Sequence, residues 1–178
     1  RALSDEARAS WDERGVEDLL LRGEADLLSA PIQRRAGDAE GAVQSLRQLQ
    51  QRSNAQLGPG HPLTMESGAE LAKALQDLGS SGEAEAVLRA QLEAASALGP
   101  GGASQRASLE RSLALVLVAM KRPADAIPLL EDSLDARRLE LGDRHPRTIA
   151  DIQNLAIACL EAGLLDRAAE LLSEALDA

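Results

Sequence analysis

The chain has 178 residues, 44% hydrophobic but only 1% aromatic, and a formal net charge of −10. A core must come from Leu, Ala, Val and Ile, since Trp11 stands without any Phe or Tyr; that composition suits close-packed helices and excludes an aromatic-rich β-sandwich. The acidic balance and the lack of stacking platforms exclude nucleic acid, the single Cys159 excludes an internal disulfide or zinc cluster, and no run approaches the roughly 18 apolar residues of a membrane span.

The chain begins with Arg1 instead of Met and is read as a fragment or a processed chain. On that reading the compartment is cytoplasmic by default, with an organelle as the alternative. From the N-terminus, residues 4–28 read as a helical cap. Ser4 can cap it, Asp5 and Glu6 sit at the positive helix end, and Trp11 is a packing anchor. Pro31 is expected to interrupt the following helix, and Gly37 is the turn signal there.

Next comes the octapeptide LGPGHPLT, from Leu57 to Thr64, which returns as LGDRHPRT from Leu141 to Thr148 with five of eight positions identical. Gly58 and Gly142 should end the outgoing helix. Pro62 and Pro146 suit the first turn of the next one, where a missing N–H is harmless. His61 and His145, the two histidines of the chain, are therefore read as helix-entry punctuation and not as a site. The middle junction, LGPGGASQ at 98–105, keeps Leu-Gly, loses His-Pro and slips the register by one residue.

The stretch 82–99 places Ala84, Val87, Leu88 and Leu92 on one helical stripe, and 148–163 does so for Ile152, Leu155, Ala156, Cys159 and Leu160. Gly79 and Gly163 close the first helix of their copies. A lattice of period 42 underlies all this. Ala42, Ala84, Ala126 and Ala168 share one slot, Leu46, Leu88, Leu130 and Leu172 another, and Leu71-Ala72, Leu113-Ala114 and Leu155-Ala156 a third. The unit is helix, turn, helix, connection.

Small residues at helix crossings, Leu at packing positions, L-G-x-x-H-P-x-T before a first helix and Asn154-Leu155-Ala156 inside it resemble a tetratricopeptide repeat (TPR) of the long-period, kinesin light chain type. The resemblance implies an all-α, right-handed superhelical solenoid of antiparallel helix pairs. It divides the chain into an extension at 1–28, a degenerate repeat at 29–61, and repeats at 62–103, 104–145 and 146–178. It also implies a concave groove lined by first helices. The partner-binding positions expected there are Lys73, Gln76, Arg111, Leu115, Val118, Gln153, Asn154, Ile157 and Leu160, flanked by Glu66, Ala69, Glu70, Asp77, Ser108, Ser112, Ala119 and Glu161. Asn154 would hydrogen-bond a ligand backbone. Its lattice counterparts are Glu70 and Ser112, so no asparagine ladder repeats. Arg111 would hold a carboxylate or form a surface ion pair.

The expected partner is a protein or peptide with an apolar strip and basic residues at one end. The rival reading is a structural subunit of a larger assembly, with an organellar or membrane-associated one among the options, held by its convex face and by an edge at Leu171, Leu172 and Leu176. Cys159 reads as a small core residue. Arg34-Arg35 and Arg137-Arg138 read as solvated pairs. No phosphate loop, dinucleotide fingerprint, zinc-protease or nucleophile-elbow motif occurs, so no catalysis, cofactor or metal is expected.

Overall fold

The structure is a computed structural model. It describes the backbone of residues 2–177 and the side chains of 15–176 apart from 100 and 101. The expectations for Ser4, Asp5, Glu6 and Trp11 fall outside the described side chains. The described residues form eight α-helices, one 3-10 turn and no strand. The helices are α1 (Ala2–Arg35), α2 (Ala39–Leu57), α3 (Pro62–Asp77), α4 (Ser81–Ala97), α5 (Ala103–Ala119), α6 (Pro123–Leu141), α7 (Pro146–Glu161) and α8 (Leu165–Asp177). They fall into two compact units, Arg1–Gly79 and Ser80–Ala178.

In the first unit α1, α2 and α3 all pack on one another. Leu19, Leu49 and Leu63 form a buried cluster, with Leu20, Leu27 and Leu57 against it. Gly23 lets α1 come close. A Cβ there would meet the Leu63 side chain at 2.8 Å and Leu49 at 3.0 Å. In the second unit each helix packs on the next from α4 to α8, and α5 also touches α7.

The 42-residue lattice is a burial lattice. Ala42, Ala84, Ala126 and Ala168 are all fully buried, as are Leu46, Leu88 and Leu130. At each of these positions a larger side chain would have to displace close-packed neighbours. The slot of Ala72, Ala114 and Ala156 also extends back to Ala30, which is fully buried in α1. This corrects the expectation for Pro31: the proline lies inside α1 and the helix runs on to Arg35. A proline removes one backbone hydrogen bond, but Ala30 and the preceding turns are already held by packing, which overrides the local preference.

The octapeptides behave as read. Gly58 and Gly142 carry φ of +87° and +81°, which an L side chain rarely adopts. His61 and His145 are the N-caps of α3 and α7, each followed by proline at the first helical position. Their Nδ1 atoms accept hydrogen bonds from the backbone N–H of Leu63 (3.2 Å) and Arg147 (3.1 Å). The imidazole thus takes the role usually given to Ser or Asp, satisfying one of the orphan donors of the first turn. The middle junction does without this cap. It forms the 3-10 turn Gly99–Gly102, and a Cβ on Gly102 would lie 2.5 Å from the Ala95 carbonyl oxygen.

The turn slot shows a departure from the lattice. Gly37, Gly79 and Gly163 have φ of +86°, +75° and +79°, but the third copy places Lys121 there at +60°. An L residue in this conformation costs about 1 kcal/mol.

Candidate functional site

The expected groove positions are all on first helices, and none of them is buried. The two units present them differently.

In the first unit the face between α1 and α3 is charged. Arg34 Nε donates to Asp77 Oδ2 at 2.6 Å, and Arg34 also lies 3.6 Å from Glu70. Lys73 reaches Glu70 one turn away. Pro31, Arg34, Arg35, Glu70, Lys73 and Asp77 line a shallow pocket. Lys73 therefore spends its charge inside the unit, and Arg34 is a cross-helix tie, not a solvated residue as the sequence suggested.

In the second unit α5 and α7 lie side by side. One ion pair links them, Arg111 to Asp151 at 3.5 Å, and Lys121, in the turn after α5, reaches Glu161 at the end of α7 at 3.0 Å. Between these ties the surface is apolar. Leu115 is 38% exposed, Ile157 50% and Leu160 46%. Val118 and Asn154 are half-buried on the same helices, and Gln153 is exposed. The Ser112 hydroxyl is turned back to donate to the Ser108 carbonyl at 2.9 Å, so it is occupied by its own helix.

The Arg111 Nε lies 3.5 Å from Asp151 without a hydrogen bond, so Arg111 is not a lone surface cation. Its partner is Asp151, almost fully buried, which also binds Arg137 at 3.2 Å. Arg137 is buried too, which corrects the reading of Arg137-Arg138 as solvated; Glu140 lies 3.7 Å from it. Arg138 faces Asp143 at 3.3 Å and also pairs with Glu174 on α8. The lattice carried the signal for Arg137 and Asp151. Their slots hold Ser53 and Ser67 in one copy and Ala95 and Leu109 in the next, all buried. Opposite charges at two slots that are buried elsewhere imply a buried pair.

Glu110 sits in the slot of Gly68 and Ile152, and only 6% of it is exposed. Burial pushes its carboxyl above the usual value, against the pull of Arg106, which lies 3.3 Å away. Cys159 is fully buried, and burial raises its thiol as well, so it is a core residue and not a nucleophile. On α8, Leu171 is half-buried, Leu172 is 40% exposed and Leu176 is 88% exposed. No described helix is long and apolar enough to cross a membrane.

Paired helices with an alanine lattice and a shared first-helix face define the class: an all-α tetratricopeptide solenoid fold. The sequence model of the tetratricopeptide repeat matches residues 105–178. A crystal structure of putative kinesin light chain, nearly identical TPR-like repeats from Podosopora anserina is 26% identical. It matches over 88% of this chain and 74% of that one, with a TM-score of 0.81. A point variant of it matches over the same shares at 25% identity and the same TM-score. BtubC (BKLC) from P. vanneervenii shares the fold over 97% of this chain and 72% of that one, at 18% identity and a TM-score of 0.74. No curated protein sequence matches significantly. Residues 105–178 thus match the repeat itself, and the fold of the chain is similar to that of the kinesin light chain TPR-like repeats. Such repeats generally mediate protein–protein interaction, and the fold is typically non-catalytic.

Proposed function

We propose that the chain is an adaptor or scaffold without catalysis of its own, which seats a peptide or partner segment on the first-helix face of its repeats. The contact residues are Arg111, Leu115, Val118, Gln153, Asn154, Ile157 and Leu160 in the second unit, with Lys73 and Gln76 at the related positions of the first. One observation carries this reading: exposed Leu115, Ile157 and Leu160 lie together on the packed helices α5 and α7, between Arg111–Asp151 and the exposed pair Lys121–Glu161. A rigid apolar strip costs little to order on binding, so most of the contact energy is available for affinity. The reading keeps the division into 1–28, 29–61, 62–103, 104–145 and 146–178; its first boundary falls inside α1.

A second reading uses α8. Leu172 occupies the slot of the fully buried Leu46, Leu88 and Leu130 and is itself 40% exposed. A neighbouring subunit seated on Leu171, Leu172 and Leu176 would make the chain a fixed part of a larger assembly. Substitution separates the two. Arg111→Ala would also uncage Asp151, so Leu115→Glu with Ile157→Glu is the cleaner probe of the strip. An adaptor loses its partner with that pair and keeps it with Leu172→Glu and Leu176→Glu; a fixed subunit shows the reverse.

A further inference from the structure

α1 carries an apolar stripe that none of the described residues of its own unit covers. Leu21 is 65% exposed, Leu28 75% and Ile32 69%, and Ala25 is exposed between them. The buried face of the helix, with Leu19, Gly23 and Ala30, is on the opposite side. The stripe is not a scatter of single leucines. Its spacing alternates four, three, four, and one further step of three at each end reaches Asp18 and Arg35, both exposed. That alternation is the seam of a two-stranded coiled coil, in which successive positions face one partner helix.

The chemistry of the seam is also symmetric about its centre, between residues 26 and 27. Laid antiparallel on a second copy of itself, it places Ala25 against Leu28, Leu21 against Ile32, and Asp18 against Arg35. Each inner layer is then apolar on apolar, and the two end layers are acid on base. A parallel arrangement would instead set Asp18 against Asp18 and Arg35 against Arg35. Asp18 does pair with Arg22 on its own helix at 2.7 Å, but both are largely exposed, and such a pair contributes little.

We infer that α1 is a self-association surface on which two copies of this chain pair antiparallel about a two-fold axis. A two-fold contact uses one patch twice, and this requires the self-complementarity seen here. Four apolar residues per copy make a small interface, under about 1,200 Å² in total, so the dimer is weak and concentration-dependent. The inference is independent of the α5–α7 strip, which lies in the other unit.

The test is sedimentation velocity on the purified chain from about 5 to about 300 μM, a span that brackets a micromolar association. The wild type is expected to shift from monomer to dimer across it. Leu28→Glu, at a position three-quarters exposed, should keep its helical circular dichroism and weaken association at least tenfold. Asp18→Arg alone and Arg35→Asp alone should each weaken it, and the two together should restore it, because the end layers are again opposite in sign. A wild type that remains monomeric at the highest concentration overturns the inference. So does a dimer indifferent to Leu28→Glu, or a double variant no better than the singles.

Discussion

Thr64 and Thr148 hold the same octapeptide position and are both fully buried, yet they should respond in opposite directions to one substitution. The Thr148 hydroxyl donates to the Gly142 carbonyl at 2.8 Å, tying the first turn of α7 to the loop that leads into it. The Thr64 hydroxyl is buried without a hydrogen-bond partner. Valine matches threonine in shape and helix preference, so Thr→Val tests the hydroxyl alone. At Thr148 the change removes a bond with a net contribution of about 1 kcal/mol. At Thr64 it removes an unsatisfied polar group, whose burial costs roughly 1–2 kcal/mol. For a chain of this length 1 kcal/mol moves the melting temperature by about 2–4 °C. Thr148→Val should therefore melt about 2–4 °C below wild type, and Thr64→Val about 2–8 °C above it. Thermal melts followed by circular dichroism, with urea midpoints as a second measure, read both. If the two variants fall together, the difference in hydrogen bonding between the two octapeptides is refuted.

Three further outcomes follow from the second unit. Asp151→Asn leaves buried Arg137 without its close counter-charge and should destabilise by on the order of 3 kcal/mol in urea titration, far more than exposed Asp125→Asn. Lys121→Gly relieves the one non-glycine at positive φ among the described residues and should stabilise by about 1 kcal/mol, even though it gives up the exposed pair with Glu161. Glu110→Gln should change the pH dependence. Because burial raises the Glu110 carboxyl, its favourable contribution is complete below the ordinary carboxylate range and is lost as pH rises through the raised value. The glutamine variant should therefore gain stability relative to wild type from pH 4 to pH 7. Equal urea midpoints at both pH values would count against a buried, ionising Glu110.

The parts of the fold legible in the sequence are those where every copy repeats one environment. The alanine and leucine slots read correctly because a helix crossing admits only a small residue wherever it recurs. His-Pro read correctly as punctuation, although the hydrogen bond from histidine to the first turn is not a property of spacing. The misreadings arose where a local rule was given more weight than the lattice. Pro31 looked like a breaker because proline lacks its N–H, while Ala30 beside it lay on the alanine slot and marked a packed helix. Arg137 looked solvated because arginine usually is, while its slot holds Ser53 and Ala95. Lys121 is not legible as a turn residue, because the turn slot shows itself through glycine. In the candidate site, the apolar residues of α5 and α7 were legible from helical position. The engagement of Arg111 by Asp151 was not, because it depends on which carboxylate the fold brings to α5 from forty residues away.

The central claim is that the α5–α7 strip receives a protein partner. It is tested most directly by a photo-crosslinking amino acid placed at Ile157, with the same group at Leu139 as control, in cells of the protein's own source. Leu139 lies on α6 and is 90% exposed, more than any residue of the strip, so it reports adventitious apolar contact. A discrete crosslinked species from position 157, absent from 139 and lost when Leu115→Glu is added, is the expected result. Crosslinks from 139 with none from 157 would contradict the claim.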